Sequence, residues 1–170
     1  LGSEVAMKKK ILYVVAALLI LTAILGIFWT PYDPDAMSIL LKNSAPSLQH
    51  PFGADSYGRD VLSRVMTGLS MTFLISVAVV AIGTIIGTIV GSLTGYFGGW
   101  LDEIIMRVND TLTAFPSILL ALILVSVMGS GKWNIIIALG ILFIPSFARV
   151  MRSEFIKERN MEYVKNARIM

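Results

Sequence analysis

The sequence predicts an all-α, polytopic integral membrane protein with four spans. Three observations carry this. Of 170 residues, 56% are hydrophobic and 15% charged, where a soluble domain averages about 25% charged. The mean hydropathy is +0.79. The charges are segregated and leave four long stretches with none. A chain of this kind is neither an ordinary soluble enzyme nor a disordered segment. It has no cysteine, which excludes a disulfide scaffold, thiolate metal sites and a cysteine nucleophile. Its single histidine, His50, excludes a poly-histidine metal centre.

Crossing a hydrocarbon core of about 30 Å takes about 20 apolar residues in a helix, and lipid offers the backbone no other hydrogen-bond partner. Residues 1–10 read as a basic cytoplasmic N-terminus, and the six residues before Met7 as a scar or an alternative start. The first span is 11–29, where Ile11–Trp29 holds 19 residues without a charge. It is longer than a secretory signal core, and its end, Gly26-Ile27-Phe28-Trp29, is too bulky for small-residue cleavage. Trp29 and Tyr32 suit an interfacial belt.

Residues 30–64 are an extracytoplasmic loop dense in turn signals, because the residue before each of Pro31, Pro34, Pro46 and Pro51 is pushed out of the α region. Asp55-Ser56 is expected to cap a short helix through 58–64. Asp33, Asp35, His50, Asp55 and Asp60 match no metal-ligand spacing, so these carboxylates are expected to face water or pair with Arg59 and Arg64. The second span is 65–100, inside the 37 charge-free residues Val65–Leu101. A cytoplasmic turn, 101–110, follows Gly98-Gly99, with Asn109 or Asp110 as the expected N-cap of the next helix. The third span is 111–130, with Pro116 in its first turns, where a missing N–H costs least. The fourth, 133–148, is short. Lys132 and Arg149 bound it and can snorkel to the interface, and Pro145 is expected to kink it or mark its exit.

The last segment, 149–170, carries six Lys/Arg and three Glu. Val150, Met151, Phe155 and Ile156 make one apolar stripe, Tyr163, Val164 and Ala167 another, with Asn160 as an N-cap between two helices. Interleaved Glu154, Glu158 and Glu162 favour docking into a groove on another protein over lying on anionic lipid. With the N-terminus inside, ten Lys/Arg fall on the cytoplasmic side and four outside, the orientation the positive-inside rule favours. No span holds an Asp, Glu, Lys, Arg or His. That argues against an ion-coupled carrier and a voltage sensor, and against an intramembrane hydrolase. Gly83, Gly87, Gly91 and Gly95 stand four apart and line a helix face where another helix can approach closely. They read as packing residues, and secondly as a smooth surface for tilting. No stretch carries the basic and aromatic interleaving of a nucleic-acid binder.

Several runs are recognisable. His50-Pro51-Phe52-Gly53-Ala54-Asp55-Ser56-Tyr57-Gly58-Arg59-Asp60-Val61-Leu62-Ser63-Arg64 resembles the outer-loop signature of the dipeptide/oligopeptide/nickel permease family. Leu101-Asp102-Glu103-Ile104-Ile105-Met106-Arg107-Val108-Asn109-Asp110, followed by Ala114-Phe115-Pro116-Ser117-Ile118-Leu119-Leu120-Ala121, resembles the same family's entry to its third span. Ala148-Arg149-Val150-Met151-Arg152-Ser153-Glu154 and Glu162-Tyr163-Val164-Lys165-Asn166-Ala167-Arg168 resemble the start of its cytoplasmic EAA loop. The runs cover most of 8–170, in order, and are most similar to the second of the two permeases of such systems.

The resemblance implies a type I, MetI-like permease fold in a cell (inner or plasma) membrane. It implies a non-enzymatic subunit, without catalytic residues, of an ATP-binding-cassette importer. A second permease completes the path for di- or oligopeptides, and a solute-binding protein delivers the cargo. Two ATPase subunits hold the ATP and Mg, so no cofactor or metal is expected on this chain. The EAA loop inserts a coupling helix into the ATPase. By position Glu162 is its acidic residue and Ala167 its second small residue, flanked by Tyr163, Val164 and Arg168. Asn166 stands where alanine is usual, a change a polar helix face tolerates. The family's loop continues with a glycine and about two more spans, so the chain reads as a permease truncated after four transmembrane helices. Nickel members share these runs, which leaves a metal-ion importer as the alternative cargo class. A membrane scaffold with a lipid-binding basic tail is the alternative of another class.

Overall fold

In the computed structural model the structure describes residues 2–162 and 164. The described residues form five α-helices, α1 (Gly2–Phe28), α2 (Val61–Phe97), α3 (Gly99–Ala114), α4 (Ser117–Met128) and α5 (Lys132–Arg159), with a 3-10 turn at Ile39–Leu41. Among them the only β pairing is an isolated bridge between Ala54 and Asp60. Two compact units result, one up to Leu74 and one from Ile75 onward.

In the first unit, α1 packs on the start of α2. Nearly every large apolar side chain of α1 is exposed, Leu12 at 66% and Leu18 at 60% among them, as a lipid-facing helix requires. Contact comes where small residues permit it. A Cβ on Gly26 would lie 2.6 Å from the Met66 carbonyl oxygen, and the Ser70 hydroxyl donates across to the Ala23 carbonyl at 2.7 Å. Without a hydrophobic drive between helices in lipid, close backbone approach and such hydrogen bonds hold the pair.

In the second unit, α2 and α5 lie side by side and parallel. A Cβ on Gly83 would be 2.8 Å from Phe143 Cβ, one on Gly87 2.5 Å from Phe147 Cβ, one on Gly91 2.8 Å from Met151 Cβ and one on Gly95 2.6 Å from Phe155 Cβ. Each four-residue step on α2 meets a four-residue step on α5, so the i±4 row of one helix seats the i±4 row of the other. Gly140 returns the favour on α5, where a Cβ would meet Ile82 at 2.8 Å.

Parallel neighbours need a return crossing between them, and α3 with α4 supplies it. The expected cytoplasmic turn at 101–110 is instead helical, because α3 runs from Gly99 to Ala114. Gly98 and Gly99, at φ +64° and +60°, make the whole α2–α3 turn. The expected single span at 111–130 is also divided, α3 and α4 meeting at 95°. Phe115 is extended (φ −83°, ψ 141°) because a proline follows, and Pro116 starts α4 as its N-cap. At 12 residues α4 is about 18 Å long, well short of a bilayer core, so only the broken pair together has the length of a span. Asn109 and Asp110 lie inside α3 rather than capping a helix. Three helices, Met7–Phe28, Val61–Phe97 and Lys132–Arg159, are each long and apolar enough to cross, and a fourth crossing is made if the bent pair counts as one.

Pro145 neither ends nor interrupts α5, which continues to Arg159. α5 continues past the expected span limit at 148 to Arg159, as the helix expected to run out of the membrane does, and Ala148, Met151 and Phe155 still have glycines of α2 to pack on. Asn160 is the C-cap of α5, its N–H reaching the Lys157 and Glu158 carbonyls, and the second helix it is expected to cap lies mostly outside the described residues. The short helix expected at 58–64 is the first turn of α2, which begins at Val61.

Candidate functional site

The polar chemistry gathers in two places, the loop before α2 and the charged ends of α3 and α5. In the loop, Asp60 caps α2. Its Oδ2 accepts from the Ser63 N–H at 2.8 Å and the Ser63 hydroxyl at 2.7 Å, and Oδ1 lies 2.9 Å from His50 Nδ1. Ser63 Oγ in turn accepts the Tyr32 N–H at 3.0 Å. Asp60 and Ser63 are buried, and the Tyr32 ring covers His50. Burial pushes the Asp60 carboxyl up, but the Ser63 and His50 hydrogen bonds outweigh it and leave it below the usual range.

Asp55 organises the neighbouring turn. It accepts from Arg59 Nε at 2.8 Å and from the N–H groups of Tyr57 and Arg59 at 2.8 and 3.0 Å. The Arg59 side-chain hydrogen bond leads in lowering its pKa to about 2. Arg64 lies 3.8 Å from Asp55 and 3.5 Å from Asp35. Gly58, at φ +74°, passes so close to Ser38 that a side chain there would strike the Ser38 carbonyl. The carboxylates of this loop are thus engaged with cations, hydroxyls and backbone. Among the described residues no three His, Asp or Glu converge as a metal site.

At the charged ends of α3 and α5, Arg152 makes a bidentate pair with Asp102, Nε to Oδ1 and Nη2 to Oδ2, the latter at 2.6 Å. Arg149 Nη2 lies 3.1 Å from Asp110, and Arg159 Nη1 donates to the Tyr96 carbonyl at 3.1 Å, closing the last turn of α2. Glu162 is exposed and Val164 half-buried, one turn beyond the end of α5. Tyr163, Ala167 and Arg168, the other expected coupling residues, lie outside the described residues. The Asp102–Arg152 pair eluded sequence reasoning. Its members stand 50 positions apart and the polarity around Asp102 reads as a turn; the opposite charges of 102–110 and 149–152 are the available signal.

Between α4 and α5 a cavity of about 550 Å³ is lined by Ile118, Leu122, Val125, Leu139, Leu142 and Phe143, with Ser117 and Ser146 its only hydroxyls. It offers no titratable group among its lining residues.

Parallel α2 and α5 joined by a broken crossing, with apolar faces outward and charge confined to the ends, define a multi-pass helical membrane component. Residues 83–170, the second unit almost whole, match the family described as binding-protein-dependent transport system inner membrane component. The chain belongs to that family, and its fold is the MetI-like permease fold. It is 46% identical over 152 residues to the glutathione transport system permease protein GsiD of Escherichia coli O6:K15:H31 (strain 536 / UPEC), covering 89% of this chain and 50% of the relative. The identity and coverage are the same for the protein of that name from Shigella sonnei (strain Ss046). With that of Escherichia coli O1:K1 / APEC the identity is 45%, over the same shares. The chain spans about half the length of the curated relatives it matches.

Proposed function

We propose that this chain belongs to the permease of an ATP-driven importer and forms part of the wall through which a small peptide crosses the membrane. The observation that carries the reading is the family match over 83–170, which coincides with the α2–α5 assembly. The relatives reported above are named for glutathione transport, which supports a peptide-class cargo. The apolar groove between α4 and α5, with Ser117 and Ser146 as its polar points, suits the path wall because it presents no charge to trap a passing solute.

The proposed orientation places the N-terminus and the Arg149–Glu162 end in the cytoplasm. That end carries the Lys/Arg excess, and a mixed-charge segment beyond α5 suits docking on an ATPase. The proposed partners are a second permease, two ATPase subunits that carry ATP and Mg, and a solute-binding protein on the loop side, in a bilayer. The chain itself is assigned transport and no catalysis. Co-purification of the full-length permease with its ATPase, and ATP-dependent uptake of labelled glutathione or dipeptide into vesicles, test this. Uptake that needs Glu162 and its neighbours is expected. Uptake and assembly indifferent to replacing them, or labelling that finds 149–162 outside, overturn it.

A further inference from the structure

We infer that Asp102 and Arg152 form a positioning link that fixes α3 to the end of α5, so that a displacement imposed at the Glu162 segment moves α3 and, through the 95° break, α4. The inference rests on the reading of the chain as an ATP-driven permease and adds to it the route by which the membrane helices follow the ATPase.

Three observations meet at Arg152. Its backbone lies in the α2–α5 seam, where a Cβ on Gly91 would be 3.0 Å from Arg152 N and one on Gly95 3.0 Å from Arg152 O. Its side chain leaves the seam and grips Asp102 with both carboxylate oxygens. Asp102 sits in the first turn of α3, just after the Gly98-Gly99 turn that ends α2. The three helices are therefore closed into a ring at one level, with Arg152 as the hub.

The seam itself packs glycines against side chains and backbone, and a single-pronged hydrogen bond from Arg159 to the Tyr96 carbonyl crosses it at its end; contacts of this kind set a distance and leave some freedom of tilt. The bidentate pair removes that freedom, because a planar guanidinium on a carboxylate fixes direction as well as distance. Its side chains are only 33% and 15% exposed. The parallel pair Arg149–Asp110 is single-pronged, with side chains 56% and 66% exposed, and water screens it. The link therefore resides in Arg152 and not in Arg149.

The test uses the assembled transporter in vesicles and compares Asp102→Asn, Arg152→Gln, the exchange D102R/R152D, and Arg149→Gln. Membrane level and ATPase co-purification are expected to stay as in the wild type. Solute imported per ATP hydrolysed is expected to fall about tenfold in both single variants, the usual scale of coupling between sites, to recover in the exchange, and to change less than about twofold in Arg149→Gln.

Residues 1–170 hold no cysteine, so with any cysteines elsewhere in the transporter replaced, spin labels introduced by E103C and M161C read the link directly. Their distance distribution should be narrow in the wild type, broad in Asp102→Asn and narrow again in the exchange. Import and hydrolysis falling in step, an exchange no better than the single variants, or an unchanged distance distribution each overturn the link. Failure of the wild-type permease to associate with any ATPase would instead overturn the functional reading, while the label distances still judge the link.

Discussion

Replacing Gly87 by alanine adds one methyl group to the middle of the α2–α5 seam. The new Cβ would stand 2.5 Å from Phe147 Cβ, 2.9 Å from the Ile144 carbonyl oxygen and 3.1 Å from Ala148 N. Relaxed carbon–carbon contacts lie at about 3.5–4.0 Å, so α2 and α5 must part by about 1 Å or more. Two of the three obstructing atoms are backbone, which no rotamer change can move. Overpacking of this kind costs about 1–3 kcal/mol, against about 1 kcal/mol that alanine gains over glycine within a helix. Gly68 is the internal control: it lies on the same helix, α2, and a Cβ there meets nothing within 4 Å. Gly68→Ala should therefore keep the propensity gain, and Gly87→Ala should lose it and more. Heat-induced unfolding of the purified protein in detergent reads the difference. Taking about 2–4 °C per kcal/mol for a chain of this size, Gly87→Ala should melt several degrees below Gly68→Ala. Equal midpoints, or a higher one for Gly87→Ala, would refute the reasoning that backbone contact holds this seam.

Two further outcomes follow from the loop before α2. The folded Asp55 carboxyl titrates at about 2 against an ordinary 3.8, so its contribution is full above the ordinary value and is lost as pH falls through about 2. Pepsin cleavage of the loop, normalised to an unstructured peptide, should accelerate across that window in the wild type and be fast and flat in Asp55→Asn; matching pH profiles would contradict the Asp55–Arg59 account. Asp60→Ala removes the α2 cap and strips the buried Ser63 hydroxyl of its acceptor, at a cost of about 1–3 kcal/mol. Asp60→Asn, which keeps one cap acceptor, should melt nearer the wild type, and a ranking in the opposite order would exclude the cap.

Legibility in the sequence divides along a physical line. Hydropathy is a local property, a matter of which residues lipid accepts, so the apolar segments within 11–29, 65–100, 111–130 and 133–148 and the charged ends between them can be read by inspection. The four-residue spacing of Gly83, Gly87, Gly91 and Gly95 is equally visible, but nothing local names the helix they face. Helix ends are not local in the same way. Asp102 to Asp110 reads as a turn because it is polar, yet α3 stays helical there, with Asp110 and Asp102 answered by Arg149 and Arg152 from α5. Asp55 looked like the cap, but Asp60 holds that place, because the bridge of Ala54 to Asp60 folds the turn back and delivers its carboxylate to Ser63.

By itself, then, the sequence determined the class of protein and its segmentation, and through its quoted runs the family. Only the tertiary structure decided that α2 and α5 pack against each other along the glycine row, that the crossing between them breaks by 95° at Phe115-Pro116, and that Arg152 joins three helices. The reason is that partition into lipid sums over one segment at a time, whereas helix pairing and ion pairing depend on contacts between residues tens of positions apart, which no single segment encodes.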